Sequence, residues 1–272
     1  MEHLKFVWYN QLAPNSFGKL KELKVELCNE ISNVIPSYVL DKLLNLETVT
    51  VVSCHKLEVV FETQGLKVDG GRQTKLEMQL RTLTLNHLPM LKHIWSGNPN
   101  ESFKFQNLCL LQVTGCESLN YVLPLSVAKE LQHLQGIYIK ECGVEIIVEQ
   151  DEMAETVPIL NFPELTVLSF RDLKQLQSFY RGLLTLDCPA LRQVDVLHCD
   201  KLVLFKPKSI NYQEIVPVDT VSLLSIEQVH STSQYSTNKW QNASCTYLVA
   251  FSIHTKNVIY NRYVSCCLLF SS

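Results

Sequence analysis

The chain has 272 residues, of which 46% are hydrophobic and 19% charged, and its formal net charge is -3. That apolar fraction excludes a disordered polymer, and the near-neutral balance excludes a protein that holds nucleic acid by neutralising phosphates. Ten cysteines over this length are too sparse for a secreted disulfide scaffold.

Leu4-Lys5-Phe6-Val7-Trp8 matches Leu91-Lys92-His93-Ile94-Trp95, so the chain is read as opening inside a truncated copy of a recurring unit. Seven further copies follow in order. They are Leu20-Leu23-Val25-Cys28; Leu46-Val49-Val51-Cys54-Leu57; Leu80-Leu83-Leu85-Leu88-Leu91; and Leu108-Leu111-Val113-Cys116-Leu119. The last three are Leu134-Ile137-Ile139-Cys142; Leu165-Leu168-Phe170-Leu173-Leu176; and Leu191-Val194-Val196-Cys199-Leu202. The first position advances by 26, 34, 28, 26, 31 and 26 residues. Apolar residues two apart put both side chains on one face of a short strand. One unit cannot bury that face alone, so neighbouring units must stack. The expected fold is of the α/β class: a leucine-rich-repeat solenoid over residues 1–209, with a curved parallel β-sheet on its concave face and loops and short helical turns on its convex face.

The long spacings hold the irregularities. Residues 62–79, with Gly65, Gly70 and Gly71 among charges, read as an exposed loop. Residues 144–160 carry Glu145, Glu149, Asp151, Glu152 and Glu155 with no basic residue. This stretch reads as an acidic loop, either simply solvated or offered to a basic partner surface.

Cys28, Cys54, Cys116, Cys142 and Cys199 share one motif position, which Leu88 and Leu173 fill in the other two copies. A position that accepts Cys or Leu selects a compact buried side chain. Cysteines one repeat apart do not make the close pairs that zinc needs, and His55 and His198 beside them are expected to face solvent. No phosphate loop, nucleophile elbow or His-Glu-x-x-His motif occurs, so no catalytic, cofactor or metal site is expected and the chain is not read as an enzyme.

A solenoid of this kind binds through the variable positions around the two apolar ones of each strand. These are Lys24 and Glu26; Thr50 and Val52; Thr84 and Asn86; Gln112 and Thr114; Tyr138 and Lys140; Ser169 and Arg171; Asp195 and Leu197. Tyr138, Arg171 and Lys140 are the expected anchors for a protein partner, because aromatic and arginine side chains dominate hot spots. Trp8 and Trp95 fall after the strand and are assigned to the core.

Leu88-Pro89-Met90-Leu91-Lys92-His93-Ile94-Trp95, Phe105-Gln106-Asn107-Leu108, and Val113-Thr114-Gly115-Cys116-Glu117-Ser118-Leu119 resemble the C-terminal repeats of plant coiled-coil, nucleotide-binding, leucine-rich-repeat disease-resistance receptors. Phe162-Pro163-Glu164-Leu165 and Cys199-Asp200-Lys201-Leu202 fit the same pattern, and the resemblance covers residues 1–209. It implies a role in recognising a pathogen effector or a guarded host protein and in restraining a nucleotide-binding switch domain. That domain is not seen in this chain, which therefore reads as a fragment or truncated product, and nucleotide binding is not carried over. Two other readings remain open on the repeats alone: a substrate-receptor domain of a ubiquitin ligase, which needs an F-box not seen here, and an inert gene product.

Residues 210–272 carry six of the 51 charged residues and none of the nine glycines. This tail reads as either poorly ordered or a small cap on the last repeat. Its apolar stretch is interrupted by Lys256, Asn257, Asn261 and Arg262, short of the ~20 residues of a membrane span. Without a secretory leader after Met1, the expected location is the cytoplasm.

Overall fold

A computed structural model describes residues 4–8, 17–63, 75–97, 103–150, 157–182, 184–202, 246–255 and 258–267, the last two through their backbone. Its organising feature is a seven-stranded parallel sheet in which the strands follow one another in chain order. The strands are Glu22–Glu26, Thr48–Val52, Thr82–Asn86, Leu110–Thr114, Gly136–Lys140, Val167–Arg171 and Gln193–Leu197. Each is centred on one copy of the sequence motif. The second and fourth residues of each strand point into the core: Val49, Val51, Leu83, Leu85, Leu111, Val113 and Ile137 have no exposed surface. Such burial stabilises by about 1.5–3 kcal/mol per large aliphatic side chain.

After every inner strand the chain turns through a residue with positive φ. These are Leu27, Ser53, His87, Gly115, Glu141, Asp172 and His198, with φ from 51 to 66°. The turn aims the residue's amide at the next repeat, so that Leu27 donates to the Val52 carbonyl, Ser53 to Asn86 and His87 to Thr114. The Cys/Leu position follows directly and drops into the core. All five repeat cysteines are buried, and Leu88 and Leu173 at the same position are fully so.

A second set of short parallel strands covers the other side. Asn33–Ile35, Val59–Glu62 and His93–Ser96 form one group, and Tyr121–Pro124, Ile146–Glu149 and Ser178–Tyr180 form another. One-turn helices Ser37–Leu40 and Leu125–Ala128 follow Pro36 and Pro124, which hold the extended N-cap position just before each helix. Between the two faces Phe61, Trp95 and Phe105 pack as an aromatic layer with centroids 5.4–5.9 Å apart. Trp8 also lies in the core, its indole N–H donating to the Val34 carbonyl at 2.7 Å. Both tryptophans are thus core residues, as their place after the strand implies.

The acidic stretch 144–160 is not a loop throughout. Val144, Ile146, Ile147 and Val148 are buried and form or flank a strand, and Ile159–Asn161 is another. Apolar residues between the glutamates decide this, since each fills the core of its repeat. Glu145 is held by Arg181 at 3.1 Å, while Asp151, Glu152 and Glu155 lie outside the described residues. In the 62–79 stretch the same logic buries Met78 beside the short strand Leu76–Glu77. Gly65, Gly70 and Gly71 lie outside the described residues, as do residues 203–245, which include the first part of the 210–272 tail. Thr246–Thr255 and Val258–Cys267 pair antiparallel, from Thr246 opposite Cys267 to Thr255 opposite Val258.

Candidate functional site

Parallel pairing without slippage turns the seven inner strands into straight rows. The central row runs Lys24, Thr50, Thr84, Gln112, Tyr138, Ser169, Asp195. The row on its C-terminal side runs Glu26, Val52, Asn86, Thr114, Lys140, Arg171, Leu197. Every candidate position from the sequence falls in one of these two rows, on the face away from the core. A third row joins them on the N-terminal side: Glu22, Thr48, Thr82, Leu110, Gly136, Val167, Gln193. Sequence reasoning missed it. The period-two alternation that marks the other two extends one step earlier and would have found it.

Charge is distributed unevenly over this surface. The strands Thr48–Val52, Thr82–Asn86 and Leu110–Thr114 carry none, and Gly136 and Tyr138 continue the neutral patch. Charged residues flank it, with Glu22, Lys24 and Glu26 on one side and Lys140, Arg171 and Asp195 on the other. Thr84 donates to the Gln112 carboxamide at 3.4 Å, linking neighbouring strands inside the patch. At the margins Lys24 meets Glu26 at 2.9 Å, Lys140 meets Glu141 at 3.0 Å and Arg171 meets Asp195 at 3.3 Å. Gln193 also donates to Asp195 at 2.8 Å.

Tyr138 owes its pose to Gly136. A methyl group at Gly136 would lie 2.7 Å from Tyr138 Cε2 and 3.3 Å from Leu110 Cδ1. The absent side chain therefore lets the phenol ring lie back over the sheet beside Leu110, making one apolar spot within the hydroxyl- and amide-bearing centre. Ser169, in the row next to Tyr138, is only 6% exposed. It contributes little surface, whereas Lys140 and Arg171 leave about half of each side chain open (49% and 49%).

The cysteines do not belong to this surface. Their thiols point inward and donate to the carbonyl two residues earlier: Cys28 to Glu26 at 3.3 Å, Cys142 to Lys140 at 3.1 Å, Cys199 to Leu197 at 3.4 Å. Burial raises the pKa of Cys54, and it raises that of Cys188, next to Asp187, to about 12. These thiols are protonated at neutral pH and are poor nucleophiles and metal ligands. His55 and His198 are exposed and contact Asn29 at 2.6 Å and Asp172 at 2.7 Å. Among the described residues no group of three His, Cys, Asp or Glu side chains is placed to hold a metal ion.

Stacked units, a continuous inner sheet and a neutral patch rimmed by charge define a leucine-rich-repeat module built around an open concave face. Residues 1–143 match the family described as plant disease resistance protein RPS2-like, leucine-rich repeats. The chain belongs to that family, and it is a defence-related repeat module of the plant disease-resistance class. It is similar to a probable disease resistance protein of Arabidopsis thaliana, 32% identical over 102 residues, which make up 37% of this chain and 11% of that protein. The chain thus spans about a tenth of the length of that curated relative (11%). No solved structure matches. Among the described residues no helix is long and apolar enough to cross a membrane.

Proposed function

We propose that the chain is a non-enzymatic protein-recognition module of plant innate immunity, working in the cytoplasm. It binds a pathogen effector or a guarded host protein on its concave face and restrains a nucleotide-binding switch domain carried elsewhere. The observation that supports this most is the neutral patch over Thr48–Val52, Thr82–Asn86 and Leu110–Thr114 with charge confined to its margins. Protein-binding surfaces have this anatomy: a core depleted of charge, which desolvates cheaply, and a polar rim. Family membership supports the defence setting, and the seven free cysteines among the described residues fit a reducing compartment.

The test is retention of the full chain on the immobilised nucleotide-binding domain of a plant resistance receptor. Thr84→Arg places an unpaired charge at the centre of the patch, and Lys92→Ala alters a side chain outside it. Thr84→Arg is expected to weaken retention at least tenfold while Lys92→Ala leaves it unchanged. Equal retention of wild type and both variants removes the concave face from the contact, and no retention of wild type removes the restraining role.

A further inference from the structure

Lys140 and Arg171 are 31 residues apart in sequence, yet the register of their strands sets them directly opposite each other on the open face. Adjacent strands lie about 4.8 Å apart, and like charges facing each other at that distance destabilise a sheet. Each cation has a carboxylate of its own, Glu141 for Lys140 and Asp195 for Arg171, which offsets that repulsion on the exposed face. We propose that Lys140 and Arg171 form a clamp for an acidic side chain of a protein segment lying across the strands, at the edge of the neutral patch. This rests on the concave-face reading above and specifies the chemistry of what binds there.

The surroundings favour an acidic residue followed by uncharged ones. Along the row from the clamp come Thr114, Asn86 and Val52, all uncharged, before Glu26 is reached at the far margin. Thr114 sits next to Lys140 and supplies a hydroxyl to the same carboxylate. Four strand steps separate Lys140 from Glu26, about 19 Å, which an extended segment of about six residues spans. Glu26 then repels a second acid at that end, so the acidic end of the segment is fixed at the clamp.

Other charged groups face these cations. Glu141 contacts Lys140 and Asp195 contacts Arg171, while Asp172, on the turn beyond Arg171, is occupied by His198. Both cation pairs are solvent-exposed, and exposed pairs of this kind contribute little to folding. Each cation can therefore exchange its internal partner for an incoming carboxylate that bridges both.

The experiment uses the full chain and fluorescein-labelled peptides of about seven residues. Each contains serine, asparagine and threonine, and ends in two glutamates, two glutamines or two lysines. Binding is read by anisotropy at low ionic strength, where exposed charges are least screened. The glutamate peptide is expected to bind at least tenfold tighter than the glutamine peptide. Lys140→Glu with Arg171→Glu should abolish that preference and transfer it to the lysine peptide, an inversion that a misfolded variant does not produce. Equal binding of all three peptides, no binding of any, or a preference unchanged by the double variant overturns the clamp. A failed peptide preference with Thr84→Arg still blocking retention on the nucleotide-binding domain would sink the clamp alone. A clear preference with no retention on that domain sinks the restraining role instead.

Discussion

Replacing Gly143 with alanine should be among the most damaging small changes this protein can undergo. Its repeat is one residue short. Asn33, Val59, His93, Tyr121 and Ser178 each lie five residues beyond the Cys/Leu position of their copy, but Ile146, which pairs with both Tyr121 and Ser178, lies only four beyond Cys142. The chain absorbs the missing residue by running closer to the preceding repeat, and the Gly143 amide donates to the Cys116 carbonyl at 3.1 Å. A Cβ on Gly143 would meet the Glu117 carbonyl oxygen at 1.9 Å, against 3.4 Å where ordinary contact begins, a deficit of 1.5 Å. The obstacle is backbone, so no rotamer change relieves it. Overpacking of this kind costs about 1–3 kcal/mol or more, and losing the hydrogen bond adds about 1. We expect Gly143→Ala to destabilise by about 3–4 kcal/mol, within the tail reserved for core and backbone clashes.

The assay is urea denaturation followed by circular dichroism, with amide exchange over Gly136–Lys140 and Val167–Arg171 because repeat arrays can open in parts. Gly182→Ala is the control: its added Cβ would meet only the ring edge of Tyr180, at 3.1 Å, on an exposed residue. A serine inserted between Cys142 and Gly143→Ala restores the five-residue spacing and should recover much of the loss. If Gly143→Ala shifts the midpoint no more than Gly182→Ala, with amide protection unchanged, the account of the shortened repeat is wrong.

Other expectations follow from the turns, the thiols and the aromatic layer. Leu27 holds φ 55° while 60% exposed, so Leu27→Gly should stabilise by up to about 1 kcal/mol in urea, the relief of left-handed strain outweighing glycine's greater chain entropy. Gly115→Ala goes the other way by about 1–2 kcal/mol, as it strains φ 66° and places a Cβ 2.8 Å from His87 Nδ1. Cys188 keeps its proton to about pH 12 when folded, against 9.0 for an ordinary thiol. The unfolded chain therefore binds fewer protons between those limits, and this thiol's contribution is intact below pH 9 and lost as pH rises towards 12. Denaturation midpoints of Cys188→Ala should fall less steeply than wild type over that window. Phe105→Ala, which opens the aromatic layer beside Phe61 and Trp95, should cost about 3–5 kcal/mol by thermal or urea unfolding.

Local pattern carried far in this protein because each repeat is built from local rules. Alternation of apolar residues marks a strand face, so Val49 and Val51, or Leu83 and Leu85, could be placed inside without neighbours being known. The shared Cys/Leu position announced burial for the same reason. What the pattern missed lay between repeats. The acidic run from Glu145 to Glu149 looked like a loop because its charges were counted before Val144, Ile146, Ile147 and Val148 were matched to the core of their repeat. Ser169 looked exposed because alternation fixes only which face a side chain is on, not how much of it the neighbouring strands cover.

Sequence by itself therefore determined the number of stacked units, the inward residues of each and the sheet face left open, since these depend on the geometry of one strand and one turn. Tertiary structure alone decided which variable residues become neighbours. Register acts across gaps of 26 to 34 residues, and only stacking fixes it. That is what gathers an uncharged centre from three separate strands, lays Tyr138 over Gly136 and sets Lys140 against Arg171. It is also what makes Gly143 indispensable, because the carbonyl that forbids any larger residue there belongs to the repeat before it.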